Sequence, residues 1–389
     1  GDEVTFMDKK LNKDTIAANA GVASDKQHGA VVEPLYLSSN FAFKEVGKEQ
    51  KYDYTRSANP TRDTLTLALA DLEGGIGGEV TSSGMSAISL VANILELNDS
   101  VILPHDCYGG TFRLFSSLAT KGVIKIHFIN QGNIKELTQA IKEFKPNLIW
   151  LETPSNPLLQ AVDIQAICSE AKSTNAIVTV DNTFLSPALQ NPLKLGADIV
   201  IHSTTKYING HSDVVGGAVI TSNKEILTKL KFWANNLGIT GAPFDSYLTL
   251  RGLRTLSLRM ERHEKNATAL AQVLSNNKKV KAVHYPGLIC HPSHKIAKKQ
   301  QKGFGGMLSF ELEGGLPAVK KFFKKIKIFT LAESLGGFES LVCHPYTMTH
   351  APLSEDEKKA SGISEGLIRI SAGLEDIDDL IDGINIALK

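Results

Sequence analysis

The sequence predicts an α/β protein, with a doubly wound, mostly parallel sheet of seven strands followed by a smaller α+β domain. Three observations carry this. Short β-branched runs alternate with helical stretches from Val80 to Thr221; polar residues cluster just past the carboxyl ends of those runs; and the pattern changes near residue 250.

Residues 1–60 lack a strong period and carry polar loops such as Lys44 to Tyr54, as expected of a surface arm packing on a neighbouring subunit. Asn59-Pro60-Thr61 opens a helix, Leu65, Leu69 and Leu72 recur at helical spacing, and Gly74-Gly75 stops it. The seven strand candidates are Val80-Thr81, Val101 to Leu103, Lys125 to Ile129, Leu148 to Leu151, Ile177 to Val180, Ile199 to His202 and Ala218 to Thr221. Helical patterns such as Ser86 to Leu95, Ile134 to Phe144 and Ile164 to Lys172 separate most of them. Beyond residue 250, Arg251 to Leu274 reads as one long helix. Strand candidates Leu308 to Leu312 and Leu367 to Ser371 follow, and a helix from Ile377 to Leu388 closes the chain. The expected divisions are an arm at 1–60, a large domain at 61–250 and a C-terminal domain at 251–389.

At 389 residues the chain is long enough for two domains. It has 42 basic against 41 acidic residues and a formal charge of +1, so nothing in its charge asks for nucleic acid or an anionic membrane. The densest basic stretch, Lys320 to Lys327, reads as a solvated helix face. Four cysteines make no disulfide framework, no apolar run is long enough to span a bilayer, and no secretory leader pattern is seen. A soluble cytoplasmic protein is expected. The chain opens on Gly1 rather than Met, as expected of either processing or a scar left by expression.

The chemistry gathers at the strand ends. Ser203-Thr204-Thr205-Lys206-Tyr207 follows the apolar run ending at His202, placing hydroxyls and one lysine at a strand tip. A lone lysine there would be a surface stem. It does not stand alone, because Asp181 ends another strand, and its carboxylate needs a charged or donor partner such as a pyridinium N–H. Ser82-Ser83-Gly84-Met85-Ser86 lies between a strand and a helix start, suited to a single phosphate and lacking the spacing of nucleotide loops. Ser203 and Thr205 can add hydroxyl donors to it. Tyr108, in Asp106-Cys107-Tyr108-Gly109-Gly110, is placed to stack on a ring, and Asn156, on a Pro-bounded loop, to donate to a ring oxygen. Arg369, in an alternating strand pattern, can hold a substrate carboxylate bidentately. Together these suit a covalently held aldehyde cofactor of the pyridoxal 5'-phosphate type. Cys290-His291 with His294, and Cys343-His344, look like ligand fragments but lack metal-site spacing, and no metal is expected.

Tyr52 to Arg62, His202 to Asp213, Leu331 to Gly337 and Arg369 to Glu375 occur in the order found in the pyridoxal-phosphate enzymes of cysteine and methionine metabolism, the transsulfuration family. The chain resembles that family over nearly its full length. The resemblance implies an aspartate aminotransferase-like (fold type I) architecture and a homotetramer built as a dimer of dimers. It implies Lys206 as the lysine that carries the cofactor, Asp181 at the pyridine nitrogen and Tyr108 stacked on the ring. Gly84, Met85, Ser203 and Thr205 would take the phosphate, with Tyr54 and Arg56 reaching it from the neighbouring subunit. Arg369, Asn156 and the backbone near Ser334 would hold the substrate carboxylate. Gly110 stands where methionine-cleaving γ-lyases usually carry cysteine, and γ-acting members share the glutamate at Glu333. The activity implied is replacement of the acyl group of an O-acylhomoserine by cysteine, giving cystathionine. Cleavage of cystathionine to cysteine, ammonia and 2-oxobutyrate is the alternative.

Overall fold

The computed structural model describes residues 11–389. After α1 (Lys13–Ala18) and α2 (Pro60–Glu73), strands and helices alternate. They run β1 (Gly77–Thr81), α3 (Gly84–Ala92), β2 (Ser100–Pro104), α4 (Gly109–Thr120), β3 (Lys125–Ile129), α5 (Ile134–Phe144), β4 (Leu148–Glu152), α6 (Ile164–Ala171), β5 (Ile177–Asp181), α7 (Ser186–Leu189), β6 (Ile199–His202) and β7 (Gly217–Thr221). Helices α8 (Lys224–Leu237), α9 (Pro243–Leu253) and α10 (Leu256–Ser275) lead into the rest of the chain. That part holds β8 (Val280–His284), α11 (His294–Gln300), β9 (Met307–Leu312), α12 (Gly315–Lys325), β10 (Thr330–Leu331), β11 (Leu341–Cys343), α13 (Glu355–Ala360), β12 (Leu367–Ser371) and α14 (Ile377–Leu388).

Asn59 caps α2 by accepting the N–H groups of Thr61 and Arg62, and Gly74, at φ 79°, ends it in the left-handed conformation that glycine tolerates. Strands β2, β4, β6 and β7 are buried along their whole length because helices cover both faces of the sheet. The sheet order is β1-β7-β6-β5-β4-β2-β3. Strands β2 to β6 pair in parallel, β7 is antiparallel to β6, and β1 is antiparallel to β7. It follows that β1 points the same way as β6 and that β7 alone runs against the rest. The order reverses at β2, with β3 on one side and β4, β5 and β6 on the other, so a crevice opens between the ends of β2 and β4.

The second sheet has order β10-β11-β12-β9-β8 and contains both strands expected beyond residue 250. The long helix expected from Arg251 is two helices, broken at Arg254 and Thr255. Apolar Leu250, Leu253 and Leu256 keep helical spacing through the break, which is why the sequence conceals it. Arg259 of α10 spans it: its guanidinium donates to the carbonyls of Gly252 (2.7 Å), Tyr207 (2.6 Å) and Ile208 (3.2 Å). Gly210, at φ 69°, leaves room for that guanidinium, which any side chain there would meet. Residues 1–10, the start of the expected arm, lie outside the described residues. No described helix is long and apolar enough to cross a membrane.

Candidate active site

Because β1 to β6 share a direction, the segments after β1, β2, β4, β5 and β6 all emerge at one edge of the sheet. There they line a cavity of about 440 Å³ that β12 and the segment after β10 close from the other side. Eleven of the thirteen residues singled out from the sequence line it: Gly84 and Met85 after β1, Tyr108 after β2, Asn156 after β4, Asp181 on β5, Ser203, Thr205 and Lys206 after β6, and Glu333, Ser334 and Arg369. The other two, Tyr54 and Arg56, lie elsewhere. Tyr54 is exposed, and Arg56 donates to Asn235 Oδ1 at 3.0 Å beside a separate, smaller cavity.

The residues expected to take a phosphate meet at one wall of the cavity. Ser83 caps α3 by accepting the Ser86 N–H at 2.9 Å, which leaves the first N–H groups, on Gly84 and Met85, without an intrahelical acceptor. Residue 84 must be glycine for close approach, since a Cβ there would sit 2.9 Å from the Ser203 Cβ. Helix start and strand tip thus meet, bringing amide N–H groups and the hydroxyls of Ser203 and Thr205 to one wall.

Burial, and secondarily the charge of Arg369, hold the Lys206 ammonium below the usual lysine range. Asp181 is pushed up by burial, opposed by hydrogen bonds from Thr183 and by the charges of His202 and Lys206. The Thr183 N–H lies 3.0 Å from Asp181 Oδ1. Behind the strand tip, buried His202 Nε2 lies 2.6 Å from Glu73 Oε1, which also accepts from Asn182 at 3.0 Å. Arg369, 4% exposed, donates from Nη1 to Asn156 Oδ1 (3.0 Å) and from Nη2 to the Ser334 carbonyl (2.9 Å). Its buried Nε has no partner among the described residues, so the guanidinium keeps donors free for a ligand.

The sequence reading missed Glu152, Thr183, Thr349 and His350 on this wall. Glu152 stood in the loop motif Glu152 to Pro157, whereas it is the last residue of β4. His350 gave no signal at all, because it comes from a loop. The histidines of those fragments are otherwise engaged: His344 uses both ring nitrogens, with Thr347 Oγ1 and the Glu365 carbonyl, and His291 lies against the Leu158 carbonyl. Among the described residues no group of His, Cys, Asp or Glu is arranged to hold a metal ion.

The donor set fits pyridoxal 5'-phosphate. A desolvated lysine, a half-buried carboxylate, a glycine at a helix start with free N–H groups and an open arginine fork surround one cavity, the pattern of the fold type I pyridoxal-phosphate enzymes. Residues 14–389 match the family described as Cys/Met metabolism PLP-dependent enzyme, and the chain belongs to that family. Cystathionine gamma-synthase of Escherichia coli (strain K12) is 52% identical over 368 residues, covering 94% of this chain and 95% of that protein. Cystathionine beta-lyase of Lactococcus lactis subsp. cremoris (strain MG1363) is 47% identical over 375 residues, covering 96% and 98%. The crystal structure of cystathionine gamma synthase from Xanthomonas oryzae pv. oryzae in complex with aminoacrylate and cysteine superposes with a TM-score of 0.95 at 52% identity, covering 97% and 98% of the two chains. The fold is accordingly the aminotransferase-like α/β fold of this class, and the activity is that of a transsulfuration enzyme.

Proposed function

We propose that this chain catalyses γ-replacement on an O-acyl-L-homoserine, O-succinyl or O-acetyl, exchanging the acyl group for L-cysteine to give L-cystathionine. The observation that carries the reading is the placement of Lys206, Asp181, Arg369 and Glu333 around one cavity. When bound, pyridoxal 5'-phosphate supplies the aldehyde that takes up the substrate amino group and the ring that stabilises the electron pair left at Cα. Lys206 carries it at rest, then moves the Cα proton and the Cβ proton, as loss of a γ-substituent requires. Its lowered pKa favours the free amine that this role needs. Asp181 would receive the ring N–H, Tyr108 would stack on the ring and Asn156 would face a ring oxygen, while Gly84, Met85, Ser203 and Thr205 would take the phosphate. Arg369 holds the α-carboxylate with Asn156 and Ser334. The acyl group leaves from Cγ as a carboxylate, the cysteine thiolate bonds to Cγ, and Glu333 meets the amino group of the incoming cysteine.

Gly110 supports synthase over a methionine-cleaving lyase on steric grounds. A Cβ there would come within 2.4 Å of Met85 Sδ and 2.5 Å of Tyr108 Cε1, so a cysteine needs both walls moved. Cystathionine γ-lyase activity is the second reading, because the same residues serve both outcomes. We further propose that the protein is a cytoplasmic homotetramer, a dimer of dimers, in which Tyr54 and Arg56 of each arm complete the neighbour's phosphate site. That accounts for both lying outside their own chain's cavity. The divisions proposed are 1–60, 61–250 and 251–389.

One paired assay decides the reaction. Purified protein is given O-succinylhomoserine with cysteine, or cystathionine alone, at matched concentrations. Faster cystathionine formation is expected, whereas dominant release of 2-oxobutyrate from cystathionine alone overturns the synthase reading. Lys206→Ala is expected to lose both turnover and the visible absorbance of lysine-bound cofactor.

A further inference from the structure

We propose that Glu152 is a positioning residue that keeps its proton and clips the two strands at the switch-point crevice, leaving Asp181 as the charged member of the paired carboxyl groups at the tips of β4 and β5. The argument begins with topology. Strands β2 and β4 are neighbours, but the segments leaving them diverge at the crevice where the sheet order reverses. The segment after β2 carries Tyr108, at the N-cap position of α4, where no side chain caps the helix. Glu152, at the tip of β4 and 8% exposed, accepts the Tyr108 N–H on Oε2 at 2.7 Å. That bond ties the two sides of the crevice together and fixes the backbone from which the Tyr108 ring projects over the cavity.

Glu152 is also the register partner of Asp181 in the parallel β4–β5 ladder, so both carboxyl groups leave the same face of the sheet, one strand spacing (~4.8 Å) apart at the backbone. Two desolvated carboxyl groups so close do not both ionise, and the proton goes to the one whose surroundings favour charge less. Asp181 has the Thr183 N–H at 3.0 Å, a further hydrogen bond from the Thr183 side chain, and Lys206 beside it. Glu152 has the N–H groups of Tyr108 and Asn156, faces Asp181 and Asp106, and pairs with no cation among the described residues. Its burial and those two carboxylates push it well above the ordinary range. The neutral acid still accepts from Tyr108 on one oxygen and offers an O–H from the other. A charged Glu152 would instead compete with Asp181 for the ring nitrogen and draw its position off centre.

The role for Asp181 rests on the cofactor reading, but the protonation state of Glu152 does not, and the test separates them. Infrared difference spectra of cofactor-free protein, wild type against Glu152→Gln at neutral pH, are expected to show loss of the carbonyl band of a protonated carboxylic acid. Loss of an ionised carboxylate band overturns the proposal whether or not the cofactor reading holds. In holoenzyme, Glu152→Ala is expected to lower kcat/KM at least tenfold with cofactor still bound and its visible band displaced. Glu152→Gln, which keeps acceptor and donor without charge, is expected to restore most of both. If Glu152→Gln loses cofactor affinity as severely as Asp181→Asn, the charge belongs on Glu152 and the proposal fails. Loss of Lys206 function leaves the infrared result standing, so failure of the cofactor reading is recognised separately.

Discussion

Replacing Arg369 by alanine tests the substrate end of the cavity most directly. The guanidinium is held from β12 by two bonds, to Asn156 Oδ1 at 3.0 Å and to the Ser334 carbonyl at 2.9 Å, with Nε buried and without a partner among the described residues. Two of its five N–H donors are thus committed to orientation, and in the proposed reading an incoming carboxylate would take a pair of the remainder. Hydrogen bonds to charged groups contribute roughly 1.5–3 kcal/mol each, so two give roughly 3–6 kcal/mol. Water entering the vacated space recovers part of this, leaving about 3 kcal/mol, or somewhat over a hundredfold. The loss is expected in KM and kcat/KM for the O-acylhomoserine, with kcat changed much less and the visible cofactor band retained. Steady-state kinetics supplies the assay, and a substrate analogue lacking the α-carboxylate supplies the control, since both enzymes should handle it alike. A KM within about threefold of wild type, in folded variant with bound cofactor, would refute the reasoning, because threefold is only ~0.65 kcal/mol. Removing the cation also raises the Lys206 pKa in the cofactor-free protein, so less of that amine is neutral at a given pH.

Two further outcomes follow from packing and burial. Gly84→Ala forces the start of α3 away from Ser203, and overpacking of ~1–3 kcal/mol is expected to weaken cofactor affinity about tenfold or more. Equilibrium dialysis of cofactor measures this, and an unchanged dissociation constant would contradict the phosphate cradle. His263 is buried on α10 with Nδ1 2.6 Å from the Ala372 carbonyl, and burial lowers its pKa from 6.5 to about 4. The unfolded chain therefore holds more protons than the folded one between those values, and stability falls as pH drops through that window. The full penalty approaches ~3 kcal/mol below the folded pKa. Thermal unfolding from pH 6.5 downward is expected to show a shallower acid slope for His263→Gln, and equal slopes would dismiss this account.

Much of the site was readable because its residues follow strands. Asp181 and the Ser203 to Lys206 segment end β-branched runs, and all such ends fall on one edge once the crossovers share a hand. Strand direction was less accessible: nothing local distinguishes β7, which runs against its neighbours, from the rest. Glu152 was hidden by a one-residue matter of where β4 stops. The break at Arg254 was hidden because leucine spacing reports which face is apolar and not whether the backbone continues. His350 depends on a loop fold with no period to read. Short β10 and β11, of two and three residues, carry too little alternation to be seen.

Arg259 gives the break between α9 and α10 a mechanical meaning. A helix interruption between two sheets is where a hinge would be sought, since two residues there can absorb a change of direction. Here one buried side chain rivets α10 to the end of α9 and to the backbone immediately following Lys206. Any swing of one sheet against the other about Arg254 must first part those charge-assisted bonds. Substrate entry therefore has to be accommodated by loops at the cavity mouth, with the lysine and the arginine fork carried on a single unyielding frame.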